Sequence, residues 1–433
     1  LFFWERPVAE SSGSPKVTDG FNLPEIFTRS IRILRTHNNE GDSSMKTILK
    51  TLAFVLAIPA MLSACGGGGG GDGGSSTTGT LHVQMTDSPS CGFDHVYVTV
   101  SKVRVNMNAQ AGDTDGGWTD IALASPQKVD LLSLTNGMLA DLGQTALPAG
   151  QYQQVRLVFA QNRGNTLANS IVPTGGSEQP LDTPGATQSG YKIIRPFSVQ
   201  PNTLVDLVLD FNACKSVVQK GNGSYSLKPV VTATPTVVGG TISGYVAPAE
   251  AGAAVYAEQN GHVIKGTVAD SNGQFVLTPL EQSSTNGNYD VVIVQNNVAT
   301  GIVRSVPVVV NTSTVVAMSS APIALPASVM HVASGTVLPV SAQAIVRALQ
   351  SVSGLNYEIT SANANLDTGT YALNLPAAAP LIGTYSGSLP VALSPAASAA
   401  GQYTAEADSV TGATQSSAVN VSATGQTNVN FGF

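Results

Sequence analysis

Alternation of apolar and polar residues is the main pattern of this chain. Apolar side chains occupy every second position over residues 81–85, 96–100, 155–159 and 205–211. A period of two is the spacing of side chains on one face of a β-strand, so each segment predicts a strand with one buried face. Between such segments, residues 162–190 are rich in Gly, Pro, Thr and Ser and predict loops with at most one short strand.

One segment changes phase. Apolar residues stand at even positions from Val96 to Val100 and at odd positions from Val103 onward. An extra residue in one strand moves every later side chain to the other face. The shift therefore predicts a β-bulge near Ser101 and Lys102.

After Pro235 the sequence contains two similar units. Four stretches of the first unit recur in the same order in the second, and this indicates an internal duplication. The matched pairs are 243–248 with 334–339, 253–257 with 344–348, 272–277 with 368–373, and 288–292 with 401–405. Glycine at the turns, with an aromatic residue starting a strand soon after Gly273 or Gly369, predicts a small antiparallel β-sandwich for each unit.

Composition favours the same fold class. Hydrophobic residues make up 42% of the 433 residues and charged residues only 11%, while Val, Thr, Ser and Ala outnumber the long helix formers. The chain thus has enough apolar residues for real cores and the composition of an all-β protein. Its net charge of −7 gives no support to nucleic-acid binding.

Residues 45–65 have the organisation of a bacterial lipoprotein signal. A basic start at Met45 and Lys46 is followed by an apolar stretch, residues 52–62, that is too short to span a bilayer. Leu62-Ser63-Ala64-Cys65 then predicts cleavage before Cys65 and lipid attachment to its thiol. Since Gly66 and not Asp follows Cys65, we expect the outer membrane of the cell envelope as the location.

The predicted signal determines how the regions before and after it are interpreted. Residues 1–44 are interpreted as an upstream leader that is not translated, with a real extension carrying a basic amphipathic helix over residues 26–34 as the alternative. Residues 65–79 are the lipidated cysteine and a Gly/Ser-rich tether, flexible by composition.

Two cysteines remain if Cys65 is lipidated. Export to an oxidising compartment makes a disulfide between Cys91 and Cys214 the simplest expectation. A zinc site around Cys91 is the alternative, with nearby candidate ligands. These are His82, Asp87, Asp94 and His95, although their spacing matches no standard zinc pattern.

Residues 80–236 resemble the bacterial lipoprotein domain known as domain of unknown function 4382. The resemblance is carried by Thr86-Asp87-Ser88-Pro89, by residues 129–132, by Leu227-Lys228-Pro229-Val230 and, most specifically, by Pro148-Ala149-Gly150-Gln151-Tyr152-Gln153-Gln154-Val155-Arg156-Leu157. It implies a β-sandwich on an exported lipoprotein and supplies no catalytic residues.

Residues 239–323 and 331–433 are similar to carboxypeptidase-regulatory-like, transthyretin-like modules. Both share the pattern Ser-Gly-x-Val followed by Gly-x-Phe/Tyr. The resemblance implies β-sandwiches that act as spacers, stabilisers or glycan-binding accessories. The expected fold is thus three β-sandwich domains in tandem after the signal peptide and tether.

Four residues are candidate ligand contacts in the first domain. Asp87 is interpreted as a metal or ligand contact or, more simply, as the start of an Asx turn. Trp118 and Tyr152 form a sugar-stacking platform or belong to the core. Arg156 recognises a carboxylate or pairs across the sheet with Asp206 or Asp210, both of which stand in the predicted strand 205–211.

The sequence contains no nucleophile elbow, zincin helix, phosphate loop or dinucleotide fingerprint in the mature chain. We therefore expect a non-enzymatic, lipid-anchored cell-envelope protein with a structural, adhesion or ligand-binding role, without a cofactor or metal. Its expected partners are the membrane, through Cys65, and a cell-surface glycan or envelope protein. The alternatives are a glycan-binding accessory lipoprotein and an uncharacterised hydrolase.

Overall fold

The computed structural model describes residues 77–88, 92–164 and 166–433. Strands account for 56% of the described residues and helices for 7%, so the predicted all-β class is confirmed. In these described ranges no helix is both long enough and apolar enough to cross a membrane.

The first domain packs two sheets of unequal size. One sheet has the order β12-β9-β1-β4, and the other has the order β10-β11-β7-β6-β2-β5-β8 with β3 paired to β2. The strands are β1 Thr78–Asp87, β2 Phe93–Asn106, β3 Thr119–Asp130, β4 Ala140–Pro148, β5 Gly150–Phe159, β6 Ser170–Pro173, β7 Gln179–Asp182, β8 Tyr191–Val199, β9 Leu204–Phe211, β10 Val217–Gln219, β11 Tyr225–Leu227 and β12 Val231–Pro235. A helix α1, Ala213–Ser216, and 3-10 turns at Leu131–Ser133 and Thr236–Val238 complete it.

The apolar alternation of the sequence becomes the core of this domain. Leu81, Val155 and Leu207 are fully buried between the sheets, as are their alternating neighbours. The register of β2 shifts between Val100 and Lys102 against both β3 and β5, which confirms the predicted bulge. The expectation of at most one strand over residues 162–190 was wrong, because β6 and β7 both lie there and pair with each other.

The second and third domains each pack a three-stranded sheet on a larger one. In the second domain the strands are β13 Gly239–Tyr245, β14 Ala254–Gln259, β15 His262–Val268, β16 Gln274–Glu281, β17 Tyr289–Val294, β18 Gly301–Val306 and β19 Ser313–Val315, with α2 at Ser283–Asn286 and a 3-10 turn at Pro248–Glu250. In the third they are β20 Met330–Leu338, β21 Ile345–Val352, β22 Leu355–Asn363, β23 Thr370–Pro376, β24 Leu381–Thr384, β25 Ser394–Pro395, β26 Gln402–Asp408, β27 Thr414–Asn420 and β28 Phe431–Gly432, with 3-10 turns at Val340–Ala342 and Ala397–Ala399.

These two domains have the same strand order. The smaller sheets run β16-β13-β19 and β23-β20-β28, and the larger ones begin β15-β14-β17-β18 and β22-β21-β26-β27. Gly273 and Gly369 hold the same place in each, with φ of 78° and 71°. A Cβ on either would lie 2.2 Å from the carbonyl oxygen of Val246 or Val337, so both turns require glycine.

The third domain extends a sheet of the second. Strand β24 pairs in parallel with β18, and β25 pairs with β24, so the larger sheet of the second domain has six strands. The ribbon 381–395 also packs Leu381, Tyr385 and Leu393 against the core of the second domain. Because this segment belongs to the chain between β23 and β26, the two domains are joined through a shared sheet.

Candidate functional site: the cleft and the junction between domains

Asp87 lies at the end of β1 and is 1% exposed. Its Oδ1 accepts a hydrogen bond of 3.0 Å from the backbone N–H of Ala213, the first residue of α1. Burial, and after it the charge of Asp210, raise the pKa of the Asp87 carboxyl well above its usual range. Asp87 therefore binds the first residue of α1, which is distant in the sequence. The sequence had predicted a local Asx turn at Asp87.

The residues proposed for the zinc alternative are not gathered into a metal site by the described part of the chain. No group of three or more His, Cys, Asp or Glu side chains there could hold a metal ion. Instead, His82 bonds Asp206 and Asp141, and His95 bonds Asp130. Cys65 and Cys91 lie outside the described residues, so lipidation and the disulfide stay predictions. Cys214 lies in α1.

Trp118 and Arg156 contact each other within the first domain through a cation–π interaction. The Arg156 guanidinium lies 4.9 Å from the centroid of the Trp118 ring, and that of Arg104 lies at the same distance. Arg156 is 7% exposed and donates to Gln154 Oε1 and to the carbonyl oxygens of Ala111 and Ser189, each at 2.9 Å. The suggested pairing of Arg156 with Asp206 or Asp210 was wrong, because Asp206 bonds His82 and Asp210 bonds Lys265, and β5 and β9 lie in different sheets.

Tyr152 is a core residue. It is 2% exposed, its ring stacks on Phe197 at 5.4 Å, and its hydroxyl donates to the carbonyl oxygen of Pro148 at 3.1 Å. A ring in this position has no face for a sugar. The structure thus does not form the Trp118–Tyr152 platform that glycan stacking would need.

A cleft of about 250 Å³ lies between the first and second domains. Asp210 of β9 and Lys265 of β15 meet at its wall, with Lys265 Nζ 2.7 Å from Asp210 Oδ2 and both side chains less than a tenth exposed. Burial raises the pKa of Asp210, and the Lys265 ammonium opposes this shift. The pair holds opposite charges in a nearly dry interface, where removing either partner alone is costly.

Two buried polar atoms of residues that line this cleft have no hydrogen-bond partner among the described residues. They are Asp210 Oδ1, an acceptor, and Arg195 Nε, a donor. Arg195 also pairs with Glu281 across the domain boundary. Buried polar atoms are rarely left unpaired, so this part of the domain boundary is polar and incompletely satisfied.

A second group of buried charges joins the third domain to the other two. Glu358 of β22, 2% exposed, accepts from Lys215 Nζ at 2.5 Å and from Arg347 Nη1 at 3.2 Å. Its backbone N–H donates to Glu258 Oε2 of β14 at 3.0 Å. Burial, and next the charge of Glu358, raise the pKa of Glu258 well above its usual range.

Two asparagines fasten the domains through backbone groups. Asn136, in the turn after the first 3-10 segment, accepts at Oδ1 from Val276 N–H at 3.0 Å and donates from Nδ2 to the Gln274 carbonyl. Asn363 Nδ2 donates to three carbonyl oxygens at the end of α1, at 3.1 to 3.2 Å. Sequence analysis missed both, since an asparagine in a turn or at a strand end is also typical of a solvated loop.

The first domain is similar in sequence to one described family. Residues 78–229 match the family described as "Domain of unknown function (DUF4382)". This confirms the resemblance predicted for the first domain, referred to below as the DUF4382 domain. The carboxypeptidase-regulatory-like resemblance of the other two domains stays a prediction. No curated protein matches the chain.

Solved structures share only a distant likeness. A type II cohesin–X-dockerin complex from Acetivibrio cellulolyticus is 29% identical over 21% of this chain and 59% of that chain, with a TM-score of 0.17. The Bacillus anthracis TIE protein is 12% identical over 82% and 51%, with a TM-score of 0.16. The major pilin subunit BcpA of Bacillus cereus is 9% identical over 82% and 99%, with a TM-score of 0.13. The chain spans less than two thirds of the first two, and TM-scores this low carry no argument about function.

Proposed function

We propose that the protein is a lipid-anchored, non-enzymatic element of the bacterial cell envelope, in which a DUF4382 domain and two β-sandwich domains act as one rigid body. The main support for a rigid body is that contacts join each of the three domains to the others. Domains joined only by small, exposed polar contacts usually move relative to one another. Here Val292 and Ile302 of the second domain belong to the apolar core of the third, and β24 extends the sheet of the second.

The buried ion pairs make that arrangement specific. Lys265 with Asp210 joins the first domain to the second, and Lys215 with Glu358 joins the first to the third. A charge buried at such an interface has no water to replace a lost partner, so another relative placement of the domains would leave it unpaired. A rigid body of this kind suits a structural or adhesion role at a surface.

The anchor is tested by the variant Cys65→Ala. We expect the altered chain to incorporate no radiolabelled palmitate and to leave the outer-membrane fraction, because no other thiol stands at the predicted cleavage point. Cys91→Ala is the matched control, and it should keep both the label and the fraction. Undiminished palmitate incorporation in Cys65→Ala would rule the anchor out.

The cleft supports a second candidate, a glycan-binding accessory protein that recognises its ligand by hydrogen bonds and without aromatic stacking. The observation in its favour is a cavity of about 250 Å³ with a polar lining that includes Arg195, Gln259 and Glu281. This volume is near the lower end of ordinary ligand sites, so a mono- or disaccharide fits better than a long chain.

A glycan array probed with the purified full chain tests this candidate. We expect binding to at least one small glycan, and we expect Arg195→Gln to weaken it by tenfold or more, since one charge-assisted hydrogen bond contributes roughly 1.5–3 kcal/mol. Lys192→Gln, on the same strand but exposed, should bind like the unaltered chain. No binding on the array, or equal binding by Arg195→Gln, would exclude this use of the cleft.

A further inference from the structure

Strand β27 is an open sheet edge. It ends the order β22-β21-β26-β27 and pairs antiparallel with β26 from Thr414 opposite Asp408 to Asn420 opposite Gln402. No other strand of the described chain pairs with it. A row of unpaired N–H and C=O groups of this kind is a template for a further strand.

In the second domain, the edge strand equivalent to β27 is paired with a further strand. Its strand β18 holds the same place in the sheet as β27, and the outer edge of β18 carries β24 over four residue pairs, from Gly301 opposite Leu381 to Arg304 opposite Thr384. Hydrogen bonds of 2.8 and 2.9 Å close both ends of that pairing, at Leu381 N–H and Tyr385 N–H. The same fold thus has this edge occupied in one copy of the duplication and open in the other.

The other outer edges of the two larger sheets are protected. Strand β15 lies against the first domain through Lys265, and β22 lies against α1 through Asn363. Strand β25 is two residues long and contains Pro395, which cannot donate to a ladder. By contrast, β27 has seven residues, Thr-Gln-Ser-Ser-Ala-Val-Asn, with no Pro, no Lys and no charge. It therefore lacks the features by which edges usually avoid pairing.

Backbone direction identifies which residues face outward. Val421 N–H donates inward to Gly401 at 2.8 Å, and Asn420 N–H turns the other way and donates to Gln426 Oε1. Alternate residues of a strand point their backbone groups to opposite sides. Thr414, Ser416 and Ala418 therefore present their N–H and C=O groups at the open edge, and all three side chains are exposed.

We propose that β27 pairs antiparallel with β27 of a second copy of this chain, about a two-fold axis through Ser416. In this register Ser416 faces Ser416, and Thr414 faces Ala418 on both sides of the axis. All three outward residues of each copy are then used, in roughly six hydrogen bonds. The result is one continuous eight-stranded sheet with a self-complementary interface.

Charge allows two copies to approach at this edge. The strand itself is uncharged, so the pairing juxtaposes no like charges. The acidic residues of the neighbouring strand, Glu406 and Asp408, are both bound by Arg347. A second copy thus meets a polar, electrically balanced edge.

Cysteine cross-linking of the full chain in cell envelopes tests the register. Facing Cα atoms in a hydrogen-bonded pair are about 5.5 Å apart, within disulfide range. We expect Ser416→Cys to form a cross-linked dimer under mild oxidation. Thr414→Cys alone should not, because two Thr414 positions are roughly 14 Å apart in this register, whereas a mixture of Thr414→Cys and Ala418→Cys chains should. Equal cross-linking of Thr414→Cys and Ser416→Cys, or none by either, would overturn the proposal.

Sedimentation equilibrium provides an independent measurement. The purified full chain should dimerise in a concentration-dependent way, and Ser416→Pro should weaken dimerisation at least tenfold. Proline at this position removes an outward N–H and no hydrogen bond to β26, so at a concentration where both chains are monomeric the melting temperature should match that of the unaltered chain. An unaltered chain that stays monomeric at roughly 200 µM, well above the micromolar end of specific interfaces, contradicts the proposal. So does a Ser416→Pro variant that dimerises as well as the unaltered chain.

Discussion

Arg347→Ala is expected to lower the free energy of unfolding by about 3–5 kcal/mol, the usual cost of leaving a buried ion pair without one partner. The Arg347 side chain is 6% exposed and binds Glu358, Glu406 and Asp408. It also donates to the carbonyl oxygen of Gly261 in the second domain at 2.9 Å. Its removal leaves three carboxylates of the third domain without a shared cation.

Denaturant unfolding followed by tryptophan fluorescence and circular dichroism measures this effect. Lys220→Ala is the matched control, since Lys220 binds Asp182 in an ion pair on the domain surface, with side chains 30% and 60% exposed. Such pairs contribute about 0–1 kcal/mol, so the control should unfold close to the unaltered chain. Equal midpoints for the two variants would show that the junction is less buried than the structure places it.

Stability is expected to fall as the pH rises from about 5 to 8, and Glu258→Gln should remove much of that fall. The pKa of Glu258 is raised first by burial and then by the charge of Glu358, and the pKa of Asp87 is raised first by burial and then by Asp210. A carboxyl with a raised pKa in the folded state holds a proton that the unfolded chain has released. Its contribution is complete below the unfolded pKa, about 4, and is lost as the pH rises toward the folded value.

His82 acts in the same direction. Burial lowers its pKa, but hydrogen bonds to Asp206 and Asp141 outweigh burial and raise it. A histidine with a raised pKa also stabilises most at low pH and loses this contribution as the pH rises. The variant Glu258→Gln should therefore reduce the pH dependence of stability only in part. The contributions of His82 and Asp87 to that dependence should remain.

Thermal unfolding across this pH range checks the prediction. Glutamine keeps an oxygen acceptor for the Glu358 N–H and places no charge beside Glu358, so the gain should appear at pH 8 and vanish near pH 4. Each pKa unit between the folded and unfolded states corresponds to about 1.4 kcal/mol at high pH. Glu178→Gln is the control: its exposed carboxyl has a lowered pKa, chiefly through Ser170, and should yield no gain at pH 8. A Glu258→Gln variant with an unchanged pH profile would refute the raised pKa.

Local patterns predicted the strands well because burial of one face leaves a direct mark on the sequence. The period-two segments at residues 81–85 and 205–211 became β1 and β9, and the phase shift after Val100 became the bulge of β2. Strands β6 and β7 were missed as a pair, because each has four residues and too few alternations to stand out from a polar loop.

The candidate sites were predicted less well, since their residues depend on contacts between distant segments. Asp87 was a candidate ligand contact or the start of a local turn, and its hydrogen-bond partner Ala213 lies 126 residues away. Arg156 looked like a cross-strand partner for Asp210, whereas Lys265 of another domain takes that place. No spacing rule links such residues.

The sequence by itself determined the all-β class, the duplication after Pro235 and the strand periodicity, because these follow from side-chain alternation and glycine-dependent turns. The sequence alone also predicts the lipoprotein signal over residues 45–65, which lies outside the described residues. Only the tertiary structure decided that three sandwiches share buried charges, that β24 crosses into the neighbouring sheet, and that β27 is left open. These features depend on how separately folded surfaces meet, and burial and pairing between domains leave no periodic signal in the chain.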